Sequence, residues 1–319
     1  MATVEVTDLE RERRSSVRRP RRTLPDLGYA VYLIPGLLLF AVVIIIPLLA
    51  NIGISFTEWS GVGTPDWIGL ENYSRLLGDD RFWASTRNNL AMIVAMAIIP
   101  TIVGLFLAAV LFDYVAVRLG QRWATGLRAA YYVPQVFPIA VAGVVWGWIL
   151  NPSYGALNVI LETVGLDALT NNWLGDRSTA LLSVMGIMIW FQIGYPLVMF
   201  MAGLQRVDPE LYEAAEVDGA SWFQRFWFIT IHMIRPEIFV VLLTTTIAAL
   251  KVFAQIFVLT RGGPGDATLV PSYFAYQNFF ERADVGYGAS IATVMMVIII
   301  GLTIVFLRVQ NRREMEELR

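Results

Sequence analysis

The chain has 319 residues, of which 56% are hydrophobic and only 16% charged, and its formal net charge is −2. A soluble chain carries about 25% charged residues, and several uncharged runs here are long enough to cross a bilayer, so the composition excludes a soluble globular protein and points to a polytopic membrane protein. With no Cys, one His (His232) and one Lys (Lys251), disulfides, a thiolate nucleophile and Cys-ligated metal are excluded as well.

Residues 1–28 form a polar tail crowded with Arg11, Arg13, Arg14, Arg18, Arg19, Arg21 and Arg22. Glu5, Asp8, Glu10 and Glu12 lie among them, and no short apolar core with a cleavage site follows, which argues against a targeting peptide. A cytoplasmic anchor is expected, rather than a nucleic-acid contact. The membrane domain is expected over 29–308, with spans at about 29–50, 88–112, 130–150, 178–204, 238–260 and 285–307. Pro35 and Pro47 lie in or near the first span; a membrane helix tolerates such residues when neighbours satisfy the freed backbone groups. The loop after the first span holds Trp59, Trp67, Tyr73 and Trp83, ring types suited to a membrane–water interface. A short charged tail, 309–319, closes the chain.

Six spans put both termini on one side. Assigning the N-tail, the link after the second span, the 205–236 loop and the C-tail to that side collects seventeen Lys/Arg, against six in the other three loops. The positive-inside rule therefore predicts that both termini and the 205–236 loop are cytoplasmic.

That loop is the polar exception in an apolar chain: Glu210, Glu213, Glu216 and Asp218 fall within nine residues. Asp208-Pro209 reads as a helix start, because Asp caps free N–H groups and Pro fits the first helical position. Glu210 and Glu213 then sit favourably at the positive end of the helix dipole. Leu211, Ala214, Ala215 and Asp218 follow i, i+3, i+4, i+7 spacing and share a face. Gly219 supplies a stop, and Ser221 with Gln224 reads as a capping box opening a second helix. Two readings fit a helix–Gly–helix element under a membrane: a docking site for a partner, or an interfacial hairpin with none.

Further residues carry a resemblance. Glu213-Ala-Ala followed by Gly219, then Ile229-Thr-Ile231 nine residues on, resembles the EAA loop of ABC importer permeases. Trp67-Ile-Gly-Leu-Glu-Asn-Tyr73, Asn151-Pro-Ser-Tyr-Gly-Ala-Leu-Asn158, Ala202-Gly-Leu-Gln205, Asp218-Gly-Ala-Ser221 and Leu259-Thr-Arg-Gly-Gly-Pro-Gly265 are similar, in order, to the carbohydrate branch of those permeases. The resemblance covers roughly 30–310 and implies an all-α, six-helix type I importer permease in a bacterial or archaeal cell membrane. It also implies a second permease, two cytoplasmic ATPase subunits that hold ATP and Mg, and an extracytoplasmic solute-binding protein. This chain itself would bind no cofactor. Glu213, Ala214, Ala215, Asp218, Gly219 and Ser221 would form the ATPase-coupling element. Two positions depart from the pattern: His232 stands where Pro is usual, and Pro196 where a polar residue is frequent.

No P-loop is possible, since the one lysine lies in Leu250-Lys251-Val252, and HExxH, CxxC and GxSxG are absent. An enzyme is therefore not expected. A self-sufficient secondary carrier or channel is the alternative; such carriers are expected to bury carboxylates at mid-membrane, and Asp113 and Glu237 lie only at span ends.

Lys251 falls inside the fifth predicted span, where a charge costs about 2.5–3.5 kcal/mol on insertion scales. It either lines a solute cavity or pairs with a carboxylate or helix carbonyls at a partner interface. Gln255, one turn on, is expected on the same face. Trp146, Trp190, Gln192 and Tyr195 complete the candidate solute path, since sugars stack on aromatic faces and bond to amides. Met185, Met188, Met199 and Met201 read as packing.

Overall fold

The computed structural model describes residues 27–317, with side chains from 31 to 310 and that of Arg312. The Arg-rich 1–28 tail lies almost wholly outside the described residues. By internal contacts the chain divides into a unit up to Asn51 and a unit from Ile52 onward. The first unit is helical from Leu27, and the apolar helix α1, Val31–Ile54, crosses the boundary.

The second unit is mainly helical, with one small hairpin and several loops. Strands β1 (Thr57–Glu58) and β2 (Asp66–Trp67) pair antiparallel, with Thr57 opposite Trp67. The short α2, Glu71–Leu77, follows. Next comes α3, Asp80–Arg118, capped by the Asp79 carboxylate, which accepts from the Arg81 and Phe82 N–H groups at 2.8 and 3.4 Å. The remaining helices are α4 (Gln121–Val136), α5 (Ile139–Ile149), α6 (Ala156–Thr163), α7 (Ala180–Leu204) and α8 (Pro209–Val217). They continue with α9 (Trp222–Met233), α10 (Arg235–Leu250), α11 (Ala254–Leu259), α12 (Pro271–Tyr276) and α13 (Val285–Glu317).

Four of these helices are long and apolar enough to cross a membrane, and six spans result if each of two bent pairs counts as one. The helix containing the second predicted span is longer than 88–112, beginning at Asp80 because Asp79 caps it and running through Asp113 to Arg118. The third predicted span, 130–150, is not straight. Helices α4 and α5 meet at 96°. Phe137 is extended (φ −73°, ψ 139°) because the following Pro138 disfavours a helical neighbour. Helices α9 and α10 meet at 71°, just before Pro236. The fifth predicted span, 238–260, is broken: α10 ends at Leu250 and α11 begins at Ala254. The sixth runs on past 307 into the closing tail, to Glu317.

Two of the helix prolines follow a widened turn. A π-helical turn at Ala41–Ile45 precedes Pro47, and another at Val94–Ile98 precedes Pro100. Proline lacks an N–H and its ring crowds the carbonyl one turn back, so widening the turn ahead of it relieves both faults. At the α10–α11 break, the buried Asn89 of α3 donates from Nδ2 to the Ala249 carbonyl at 3.0 Å, and the Ser272 hydroxyl donates to the Val252 carbonyl. Such partners from other segments allow irregular backbone at membrane depth.

Two apolar clusters hold the second unit together. One gathers Met92, Met96, Val184, Met188, Ile256, Leu269, Tyr273, Phe274, Tyr287 and Ile291. The other gathers Leu105, Ala108, Leu197, Phe200, Met201, Leu204, Ile234 and Val241, with Phe226 and Ile231 of α9 packed against it. Met185 and Met199 pack on the first and second respectively, so all four methionines lie in packing positions. Between the clusters α3 and α7 touch closely. A Cβ at Gly104 would lie 2.7 Å from the Pro196 Cβ. Pro196 is thus buried against a neighbouring helix.

Candidate functional site: the 205–236 loop and the path residues

The loop after α7 folds as its capping residues dictate. The Asp208 carboxylate accepts from the Glu210 N–H at 3.0 Å, and Pro209 opens α8. Helix α8 ends at Gly219, whose φ of +80° is left-handed and disfavoured for residues with a Cβ. The Ser221 hydroxyl then accepts from the Gln224 N–H at 3.4 Å, while the Gln224 side chain accepts from the Ser221 N–H at 2.7 Å, closing the capping box of α9.

The two helices are tied to each other. Glu216 of α8 pairs with Arg225 of α9 at 2.6 Å, and the Tyr212 and Thr230 hydroxyls lie 3.0 Å apart. Burial pushes the Tyr212 phenol above its ordinary pKa, so it stays protonated at neutral pH. Tyr212 and Ala215 are half-buried, facing inward. Leu211, Glu213, Ala214, Val217, Asp218 and Phe223 are exposed, with Val217 87% and Phe223 70% accessible. Among the described residues Glu213 has no ion-pair partner. An acidic face with bare apolar side chains beside it is suited to a partner carrying basic groups around an apolar cleft.

His232 is exposed, and its Nδ1 lies 3.2 Å from the Trp227 carbonyl. A carbonyl only accepts, so Nδ1 carries the proton in this contact. Trp227 belongs to a π-helical turn, Phe226–Thr230. The ring therefore serves a backbone carbonyl of the loop.

Sequence reasoning missed the contact that ties this loop to α3. Trp222 Nε1 donates to Asp113 Oδ2 at 2.7 Å. The indole stacks on Phe226 (5.3 Å between centroids, 14°) and meets Phe106, Tyr114 and Phe223 at 5.0–6.0 Å. The one available signal was an acid closing an otherwise uncharged run.

The solute-path candidates fall into separate places. Lys251 caps the C-terminus of α10 (φ −98°, ψ 9°), where a cation complements the helix dipole. Its side chain is exposed and, among the described residues, pairs with no carboxylate. It lines a cleft of about 490 Å³ with Pro271, Ser272, Met295, Met296 and Ile299. Gln255 does not share a continuous helical face with it, because the helix breaks between the two. Trp146 and Trp190 are in edge-to-face contact at 5.4 Å, with Trp190 exposed. The Gln192 carbonyl accepts from Gln135 Nε2 at 3.3 Å. Thr244 Oγ1 donates to the Val240 carbonyl at 2.8 Å, so the Tyr195 hydroxyl, 3.2 Å away, is the donor to Thr244. No contact among the described residues joins Lys251 to these groups.

Residues 114–315 match the family described as the binding-protein-dependent transport system inner membrane component. The chain is 36% identical to the probable ABC transporter permease protein YurN of Bacillus subtilis, over 86% of this chain and 92% of that protein. It is 35% identical to the trehalose/maltose transport system permease protein MalF of Thermococcus litoralis, over 90% of this chain and 94% of that protein. A chain in the crystal structure of a bacterial alginate ABC transporter, in complex with an alginate pentasaccharide-bound periplasmic protein, superposes with a TM-score of 0.77 at 20% identity. That match covers 90% of this chain and 95% of the other and shows a shared fold. The chain therefore belongs to the inner membrane components of binding-protein-dependent transport systems. It is an ABC importer permease, a transport subunit without catalysis of its own, and not a secondary carrier.

Proposed function

We propose that this permease forms, with a second permease subunit, the membrane path for a sugar, an oligosaccharide or a related polyol or glycoside. An extracytoplasmic binding protein delivers the solute, and two cytoplasmic ATPase subunits, which hold ATP and Mg, supply the energy. Both termini and the 205–236 loop face the cytoplasm of a bacterial or archaeal cell, and six spans cross its cell membrane.

One observation carries the coupling role: α8 is capped at both ends and braced by Arg225, yet leaves Glu213 exposed and, among the described residues, without an ion-pair partner. Glu213, Ala214, Ala215, Asp218, Gly219 and Ser221 make the element that docks on the ATPase. The named substrates of the relatives, trehalose or maltose and alginate, support a carbohydrate. Trp146, Trp190, Gln192 and Tyr195 offer the aromatic and amide types a sugar uses, and Lys251 and Gln255 are assigned to the same path.

The test is uptake of a panel of labelled mono- and disaccharides into vesicles holding the complete complex. Uptake is expected only with ATP inside the ATPase compartment and binding protein on the opposite side. Uptake driven by an ion gradient without ATPase subunits would overturn the proposal.

A further inference from the structure

The 205–236 loop is joined by backbone to α7 and α10, its own flanking helices. Of its side-chain hydrogen bonds among the described residues, Arg206 reaches Glu237 at the start of α10, and the others close within the loop, with one exception. That exception is Trp222 Nε1 to Asp113 Oδ2, across 109 residues of sequence.

The two ends of this contact are rigidly mounted. Trp222 is the first residue of α9, directly after the Ser221 cap, and α9 is bound to α8 by the Arg225–Glu216 pair. Asp113 lies in a π-helical turn, Leu111–Val115, within α3. Phe226, stacked on the indole, opens another π-helical turn, Phe226–Thr230. Phe106 and Tyr114 of α3 close around the same ring. Helix α9, tied to α8, thus meets the longest described helix of the unit through apolar packing and one charge-assisted hydrogen bond set in an aromatic collar. Such bonds are short and directional, and a half-buried carboxylate that loses its donor is left poorly solvated.

We infer that Trp222 and Asp113 are positioning residues that carry displacement of the docking loop sideways into α3, so that α3 moves together with α7 and α10. The inference rests on the coupling role proposed for α8. The docking face itself does not include Asp113.

The experiment uses the full complex in vesicles, with solute moved per ATP hydrolysed as the readout and copurification of the ATPase subunits as the control. Trp222→Phe keeps an aromatic ring at the position and removes the donor. It is expected to lower solute moved per ATP by about tenfold, the size of a hydrogen bond to a charged group, with ATPase copurification unchanged. Asp113→Ala is expected to do the same, whereas Asp113→Asn, whose amide oxygen still accepts from the indole, is expected to restore the ratio. Where Trp222→Phe fails to insert, the Asp113 pair decides: equal ratios for Ala and Asn overturn the inference. Loss of ATPase copurification in Trp222→Phe also overturns it, since the residue would then shape the docking face. A defective Glu213→Ala beside a normal Trp222→Phe defeats the transmission contact alone. Normal ratios in both defeat the coupling role of α8 and the inference with it.

Discussion

The two ends of the second unit are built on opposite plans. At one end, segments far apart in sequence are cross-tied. Arg81 grips Asp266 through two bonds of 2.7 Å, the Tyr287 hydroxyl donates to Asp79 at 2.6 Å, and Arg75 meets Asp284 at 2.8 Å. Asn72 donates to the Ser55 and Thr57 carbonyls, and Asn88 to that of Leu269. At the other end, the polar contacts of α8 and α9 lie mostly within their own loop, and the outward face of α8 is bare. Ties between distant segments fix their relative positions; ties within one loop make it a rigid piece that can shift as a unit. The first end is a clamp, and the second is a handle.

Substitutions can break that contrast. The largest effect is expected from Gly219→Pro. Pro holds φ near −65°, against the +80° found here, so the turn between α8 and α9 is lost. Solute uptake by the assembled complex should fall to background while the thermal unfolding midpoint of the solubilised permease stays within a few degrees. A midpoint collapse would mean that the handle is also part of the clamp. At the clamp, Asp79→Ala removes both the cap of α3 and the acceptor of Tyr287. A loss of about 2 kcal/mol is expected, read as a lower unfolding midpoint with the solute-to-ATP ratio intact. Lys251→Met should reduce initial uptake severalfold with ATPase subunits still copurifying. Unchanged uptake would assign Lys251 to ending α10 alone. The smallest effect is expected from Arg75→Ala, whose side chain is 55% exposed; its ion pair contributes under about 1 kcal/mol, within reach of a careful denaturation series.

What the sequence made legible follows the range of the interactions. The handle could be read almost residue by residue, because Asp208, Pro209, Gly219, Ser221 and Gln224 act over three or four positions. The apolar runs located the apolar helices, but hydrophobicity carries no information on direction. The 96° bend at Pro138 and the break after Leu250 were therefore invisible as geometry, although Pro134, Pro138 and Lys251 marked the places. The pairing of Lys251 with Gln255 failed because it assumed an unbroken helix. Contacts such as Trp222 to Asp113 and Arg81 to Asp266 join residues more than a hundred positions apart, and a single sequence does not name the partner of either acid.

The break after Leu250 has a consequence in time. Helix α10 has 16 residues, about 24 Å at 1.5 Å per residue, short of a hydrocarbon core of about 30 Å. Helix α11 follows after a short break, where the Ala249 carbonyl of α10 accepts from Asn89 and the Val252 carbonyl between the two helices accepts from Ser272. Asn89 is synthesised long before this segment, and Ser272 after it. The hydrogen bonds at the break are thus not all available when 238–260 is made. The bond from Ser272 can form only once α12 has been made, so the break draws on a segment that follows it in the chain.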